Sequence, residues 1–229
     1  MEERIYTIPV TEAFEKADGC PFCRLHKELD EAECDRIIGA AMMEPDTRIK
    51  TNELGFCRRH YARLMDKGNH LSLALMLESH LAAKQSAVAI KGKTFLNADR
   101  SKDAVEAMRR LSGSCYVCEP VKEKFEKMLV TAIRLYKEQS DFRALVAKTP
   151  YFCLPHAAQY IAGARAGMDK RQYKEFVETM DAVQSAYYAS LSEDVSWFCK
   201  KFDYRYENEP WGNAKDAVER AVKFLSGDD

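Results

Sequence analysis

Residues 115–136 read CYVCEPVKEKFEKMLVTAIRLY, and two patterns overlap in them. Cys115 and Cys118 form a CxxC pair. Behind it Phe125, Met128, Leu129, Ala132, Ile133, Leu135 and Tyr136 recur at three- and four-residue steps with charges between them, which is the apolar stripe of a helix. A thiol pair at a helix start is the unit from which the rest of the chain can be read.

The unit occurs twice. Cys20-Pro21-Phe22-Cys23 is followed after 33 residues by Cys57 and His60 as a CxxH pair, and Cys115/Cys118 after 34 residues by Cys153 and His156. Asp46-Thr47-Arg48 and Asp141-Phe142-Arg143 fall at the same offset, and an aromatic precedes each CxxH, as Phe56-Cys57 and Phe152-Cys153. The chain therefore reads as an internal repeat. The halves are expected at 1–97 and 98–229, with the polar stretch 91–102 between them.

Only ten glycines and seven prolines interrupt the chain. A second stripe, Phe176, Val177, Met180, Val183, Ala186, Tyr187 and Leu191, runs at helical spacing, and no alternating strand competes. Turn signals at Asp18-Gly19, Glu44-Pro45-Asp46, Leu54-Gly55, Lys67-Gly68-Asn69, Ser112-Gly113-Ser114, Thr149-Pro150, Gly163 to Gly167 and Asn208 to Gly212 cut it into about eight to ten helices. The expected fold is all-α, a helical bundle of two related halves. The second half is extended by a long helix around Tyr173 to Phe202 and by a last helix from Asn213, with Ala217, Val218, Ala221, Val222 and Leu225 as its apolar positions.

Two donors three apart at a helix start can face one ion, and a second such pair completes a tetrahedron. The helix dipole and free amide donors there favour thiolate. Each half is thus expected to carry one Cys3His site: Cys20, Cys23, Cys57 and His60 in the first, and Cys115, Cys118, Cys153 and His156 in the second. Three thiolates and one imidazole suit zinc, two ions per chain, in closed structural sites. Iron–sulfur is the alternative for so thiolate-rich a set. Cys-Pro-Phe-Cys also looks like the dithiol loop of glutaredoxin-like proteins, but that fold needs a strand before the motif, and Glu12 to Ala17 reads as helix.

Other residues take plainer readings. His26 reads as a partly exposed helix histidine, and Cys34 and Cys199 as small buried apolar side chains. His70 and His80 have no ligand partner at a useful step. Arg58, Arg59 and Arg63 read as a solvated helix face, since Leu154 and Pro155 occupy the matching positions of the second half. The aromatic run Trp197 to Tyr206, with Trp211 beyond it, reads as a cap on the bundle; a ligand or partner surface is the alternative.

Composition narrows the function. The 35 Lys+Arg against 36 Asp+Glu leave a net charge of -1, so no overall field favours nucleic acid or anionic lipid. The acidic start Met1-Glu2-Glu3 is unlike a secretory signal, and Glu78, His80, Lys84 and Gln85 break the most apolar window, 71–90. A cytoplasmic protein with no membrane span is expected, and in a reducing compartment eight cysteines point to metal or redox chemistry. No Gly-rich phosphate loop, Gly-x-Ser-x-Gly elbow or His-Glu-x-x-His helix is present.

With these motifs in view, Cys-Pro-Phe-Cys, Gly-Phe-Cys-Arg-Arg-His, Cys-Tyr-Val-Cys, Phe-Cys-Leu-Pro-His and the tail from Trp197 to Asp216, the chain resembles a family of cytoplasmic proteins from Gram-positive, largely anaerobic bacteria known as a domain of unknown function. The resemblance implies a paired CxxC/CxxH protein and no assigned activity. The expectation is a non-enzymatic, zinc-binding interaction or adaptor protein with a protein partner. The alternatives are an iron–sulfur or thiol-based redox sensor, and a small-molecule-binding helical protein lined by the C-terminal aromatics.

Overall fold

The computed structural model describes residues 5–90 and 101–228. Most of the expected boundary, 91–102, lies outside the described residues. Among those described there are eleven α-helices and no strand: α1 (Thr7–Glu15), α2 (Pro21–Ile38), α3 (Pro45–Leu54), α4 (Arg58–Asp66), α5 (His70–Lys84), α6 (Ser101–Gly113), α7 (Cys118–Glu138), α8 (Ser140–Lys148), α9 (Leu154–Gly167), α10 (Lys170–Lys200) and α11 (Ala217–Ser226). No described helix is long and apolar enough to cross a membrane.

One order of elements occurs twice among the described residues. A helix, a CxxC, a long helix, a short helix, a CxxH-bearing helix and a further helix run as α1 to α5 and again as α6 to α10. Local chemistry sets the ends. Pro45 and Pro155 stand in the first turns of α3 and α9, where a missing N–H costs nothing. Asn69 and Asp169 cap α5 and α10 by accepting backbone N–H groups of the first turn.

The chain groups into two compact units, one of Met1–Lys27 with Phe125–Asp229, the other of Glu28–Lys124. The division falls inside α2 and α7.

The first unit has an aromatic core. Phe14 meets Phe22, Phe142 and Phe152 at centroid distances of 5.4, 4.8 and 6.0 Å, and Tyr160 meets Phe22 at 4.9 Å and Phe176 at 4.8 Å. Along α7 the stripe is buried as expected, with Leu129 at its margin. On α10 Phe176, Met180, Val183 and Leu191 face inward, whereas Val177 and Ala186 face solvent. The expected turn from Gly163 to Gly167 is instead continuous helix. Gly163 is there for packing, since a Cβ on it would lie 2.7 Å from Ile133 Cδ1.

The last helix also turns differently from expectation. Ala217 and Phe224 are its inner side, after Ala214 in the 3-10 turn 212–216 that precedes it, while Val218, Val222 and Leu225 point outward. Phe224 wins the inner face because it packs on Tyr151, Tyr187 and Tyr188. Before it, the aromatic segment folds around Lys201, whose Nζ donates to the carbonyls of Tyr206, Glu207 and Glu209 and lies 5.4 Å from the Trp211 ring centre. Trp197 Nε1 donates to Pro210 O. Phe202 and Tyr204 remain 76% and 84% exposed.

The second unit has a largely aliphatic core: Ile37, Ile38, Met42, Leu64, Leu73, Met76, Val117 and Val121, with Cys34, Phe56 and Tyr116. The helices α3 and α5 lie along each other, tied by Arg48 Nη2 to Leu75 O and Ser79 Oγ and by Ser79 Oγ to Asn52 Oδ1, each at 2.7 Å.

Candidate metal centres

The eight expected donors do come together in fours, but the partners are exchanged between the repeats. Cys20, Cys23, Cys153 and His156 form one group, and Cys57, His60, Cys115 and Cys118 the other, each with its donor atoms within 4.8 Å of one another. The expected sets, Cys20/Cys23 with Cys57/His60 and Cys115/Cys118 with Cys153/His156, are corrected: each CxxC meets the CxxH of the other repeat.

Helix length explains the exchange. The 18-residue α2 rises ~27 Å, while the 10-residue α3 returns only ~15 Å. Cys57 and His60 therefore stop alongside the middle of α2, against Asp30, and never return to its start. In the second repeat the 21-residue α7 is followed by the 9-residue α8, and His156 likewise stops beside Phe125, ring centres 5.1 Å apart. Asp30 and Phe125 stand at matching places, each seven residues beyond its CxxC.

Seven of the eight donors sit at helix N-termini, and Cys115 lies in the loop three residues before α7. Cys57 and Cys153 are the N-cap residues of α4 and α9, with His60 and His156 in the first turns. The helix α2 starts one residue after Cys20, and α7 starts at Cys118. In the second unit Tyr116 N donates to Gly55 O at 2.9 Å and Ser114 Oγ to Leu54 O at 2.6 Å, so the CxxC loop is docked by backbone contacts onto the end of α3.

The separations fit a tetrahedron. In the first unit His156 Nδ1 lies 3.9, 3.4 and 3.1 Å from the sulfurs of Cys20, Cys23 and Cys153, and Cys23 Sγ lies 3.5 Å from Cys153 Sγ. In the second, His60 Nδ1 lies 3.2, 3.1 and 3.4 Å from those of Cys57, Cys115 and Cys118, and Cys57 Sγ lies 3.9 Å from Cys118 Sγ. Metal–sulfur bonds of ~2.3 Å and metal–nitrogen bonds of ~2.0 Å in tetrahedral array give edges of roughly 3.5–3.8 Å. Both groups could hold a metal ion.

Protonation points the same way. Burial opposes the Cys115 thiolate, yet hydrogen bonding from His60 and nearby backbone amides holds its pKa down to about 6. Burial and the Cys115 charge push Cys118 up to about 12. In the first unit burial likewise opposes Cys20, but hydrogen bonds to Cys153 and Cys23 bring it well below the usual thiol range, while the bonds of Cys153 with Cys20 and Cys23 push Cys153 up. Three sulfurs this close cannot all ionise by themselves, and a cation among them removes the conflict.

The surroundings differ. The four residues of the first unit's group are all buried. Asp228 N donates to Cys23 Sγ at 3.4 Å, and a Cβ on Gly227 would lie 3.9 Å from Cys153 Sγ and 4.0 Å from Cys23 Sγ, so the C-terminal end of α11 covers this group. In the second unit Cys57 and Cys118 are partly exposed. There His60 Nε2–H donates to Asp30 Oδ1 at 2.7 Å, which leaves Nδ1 free as a donor to metal. Burial works against the His60 cation, but Asp30 and then Cys115 raise its pKa to about 10.

Asp30, unremarked in the sequence, is buried and also receives Arg59 Nη2 at 3.1 Å and Arg63 Nη1. Arg59 and Arg63 are thus ion-pair partners, and the solvated-face reading holds only for Arg58, which is exposed. Asp30, Cys34 and His60 also lie within 4.8 Å of one another. Cys34 is buried as expected, and burial and then Asp30 push its pKa up to about 11, which keeps it a thiol. Cys199, expected buried, is exposed. His26 is half-buried, 5.6 Å from Phe125 and 6.4 Å from His156 between ring centres. His80 Nδ1 contacts Asn52 O at 3.0 Å, and His70 is exposed at the start of α5.

No curated protein and no solved structure matches the chain. One family model does, over residues 1–229. The chain belongs to the Family of unknown function (DUF6062).

Proposed function

We propose that this is a zinc-stabilised, non-enzymatic interaction protein that holds two zinc ions in closed Cys3His centres. The observation that carries the reading is the pair of four-donor groups at tetrahedral spacing, each complete without water or substrate. Three thiolates and one imidazole are the donor set that zinc prefers. Each centre joins segments far apart in the chain, which is the work of a structural ion.

The partner-facing part of the reading rests on Phe202 and Tyr204, two exposed aromatics beside a loop that Lys201 holds in place. Aromatics presented on a fixed surface suit a protein partner. Eight free cysteines suit a reducing compartment such as the cytoplasm.

Elemental analysis with a visible spectrum on anaerobically purified chain tests the metal reading. A colourless protein with about two zinc per chain, the occupancy of two closed sites, supports it. Iron with visible absorption replaces it with the iron–sulfur reading, and a metal-free folded chain overturns it.

A further inference from the structure

The same donor set is built into two different environments. One centre is buried on all four residues and covered by the Gly227–Asp228 backbone. The other leaves Cys57 and Cys118 partly open to solvent, with their sulfurs 3.9 Å apart. The cover comes from the residues that follow α11, and among the described residues no such element follows α5.

We infer that the centre of Cys57, His60, Cys115 and Cys118 is a peroxide-modifiable zinc–thiolate site, with Cys57 and Cys118 as the pair that is oxidised, while the buried centre is a permanent staple. This rests on the zinc reading given above and adds a division of labour between the two ions. An exposed zinc-bound thiolate keeps nucleophilic character, and access decides which sulfur reacts. The orientation of His60 by Asp30 and the pairing of Asp30 with Arg59 and Arg63 hold the open centre together while Cys57 and Cys118 stay partly open to solvent.

The step balances. One thiolate attacks a peroxide oxygen, the O–O bond breaks, and the departing oxygen takes a proton and leaves as alcohol or water. The sulfenic acid so formed is attacked by the second thiolate. The S–S bond closes, and hydroxide leaves as water with a second proton. The two sulfurs lose two electrons, the peroxide gains two, and zinc, left with Cys115 and His60, is released as the aqueous dication. The sulfurs must close from 3.9 Å to a bond of ~2.05 Å, a movement within the reach of two residues at helix starts.

The test uses the full chain loaded with zinc, in a Cys199→Ser background that removes the exposed unpaired thiol. Hydrogen peroxide is added, zinc release is followed with a chromophoric chelator, and disulfides are mapped by mass spectrometry without reduction. One zinc is expected to leave about tenfold or more ahead of the other, with a peptide joining Cys57 to Cys118. Asp228→Pro, which removes the N–H donated to Cys23, is expected to speed release of the second zinc and leave the first unchanged. Loss of both ions at one rate, or a first disulfide among Cys20, Cys23 and Cys153, overturns the inference with the zinc reading intact. A chain that purifies without zinc defeats the zinc reading before peroxide is added.

Discussion

Asp30 and Phe125 show how one residue changes the surroundings of a four-donor group. They occupy matching positions of the two repeats, and each lies against the histidine of its unit, yet one is a carboxylate that fixes a ring tautomer and the other an aromatic wall. Carboxylates of this kind raise imidazole basicity and are typically worth roughly 10–100-fold in metal affinity. Asp30→Ala is therefore expected to weaken zinc at the open centre by about that factor and to leave the buried centre unchanged. Competition against a chelator of known affinity measures it, and equal weakening at both centres would contradict the assignment.

Glu33 is the other buried acid of α2, held by Arg36 at 2.5 Å and Lys124 at 3.4 Å. Burial opposes its charge, but these two cations bring its pKa below the usual 4.5. For a depressed carboxyl, the stabilisation is complete above the unfolded value and is lost as pH falls through the folded one. Glu33→Gln is expected to lose ~1–3 kcal/mol at neutral pH, with the gap to the parent narrowing below roughly pH 4. Urea unfolding at both pH values checks it. Both acids were legible in principle, since they fall in helical step with Cys34 and Ile37. The pattern shows that they are buried and does not show with whom they pair.

At the scale of elements, the helices were readable because helical periodicity and capping chemistry are local. The partnership of the ligand pairs was not. A CxxC and a CxxH separated by 33 residues and by 34 are compatible with pairing within or across repeats. What separates the two is the mismatch between a long outgoing helix and a short returning one, and that depends on where α2 and α7 end. The last helix was misjudged for a related reason: Val218, Val222 and Leu225 make a regular stripe, but the bulk of Phe224 against three tyrosines decides the inner face.

Gly55 joins α3 to the CxxH pair of the open centre. It ends α3 at φ 60° and ψ -153°, a region that essentially only glycine adopts, and its carbonyl receives Tyr116 N–H. A Cβ there would also lie 3.0 Å from two atoms of the His80 ring. Gly55→Ala is expected to cost ~1–3 kcal/mol and to loosen zinc at the open centre. A melting temperature equal to the parent's would contradict that account.

At the scale of the whole chain, exchange of ligands makes the two repeats interdependent. A fragment ending at residue 97 carries Cys20 and Cys23 of one centre with Cys57 and His60 of the other, so neither centre is complete. Fragments 1–97 and 98–229 are each expected to retain no tightly bound zinc, and their mixture to recover it. A single fragment that folds with one tightly held ion would contradict the exchange.

The most direct test of that exchange is the metal content of two double variants. Cys57→Ser with Cys115→Ser removes two donors from one centre, and the chain is expected to keep about one zinc, as one intact four-donor site requires. Cys23→Ser with Cys57→Ser strikes both centres and is expected to leave none held tightly. The reverse result, none in the first variant and one in the second, would mean that each repeat binds its own ion and would contradict the exchanged centres.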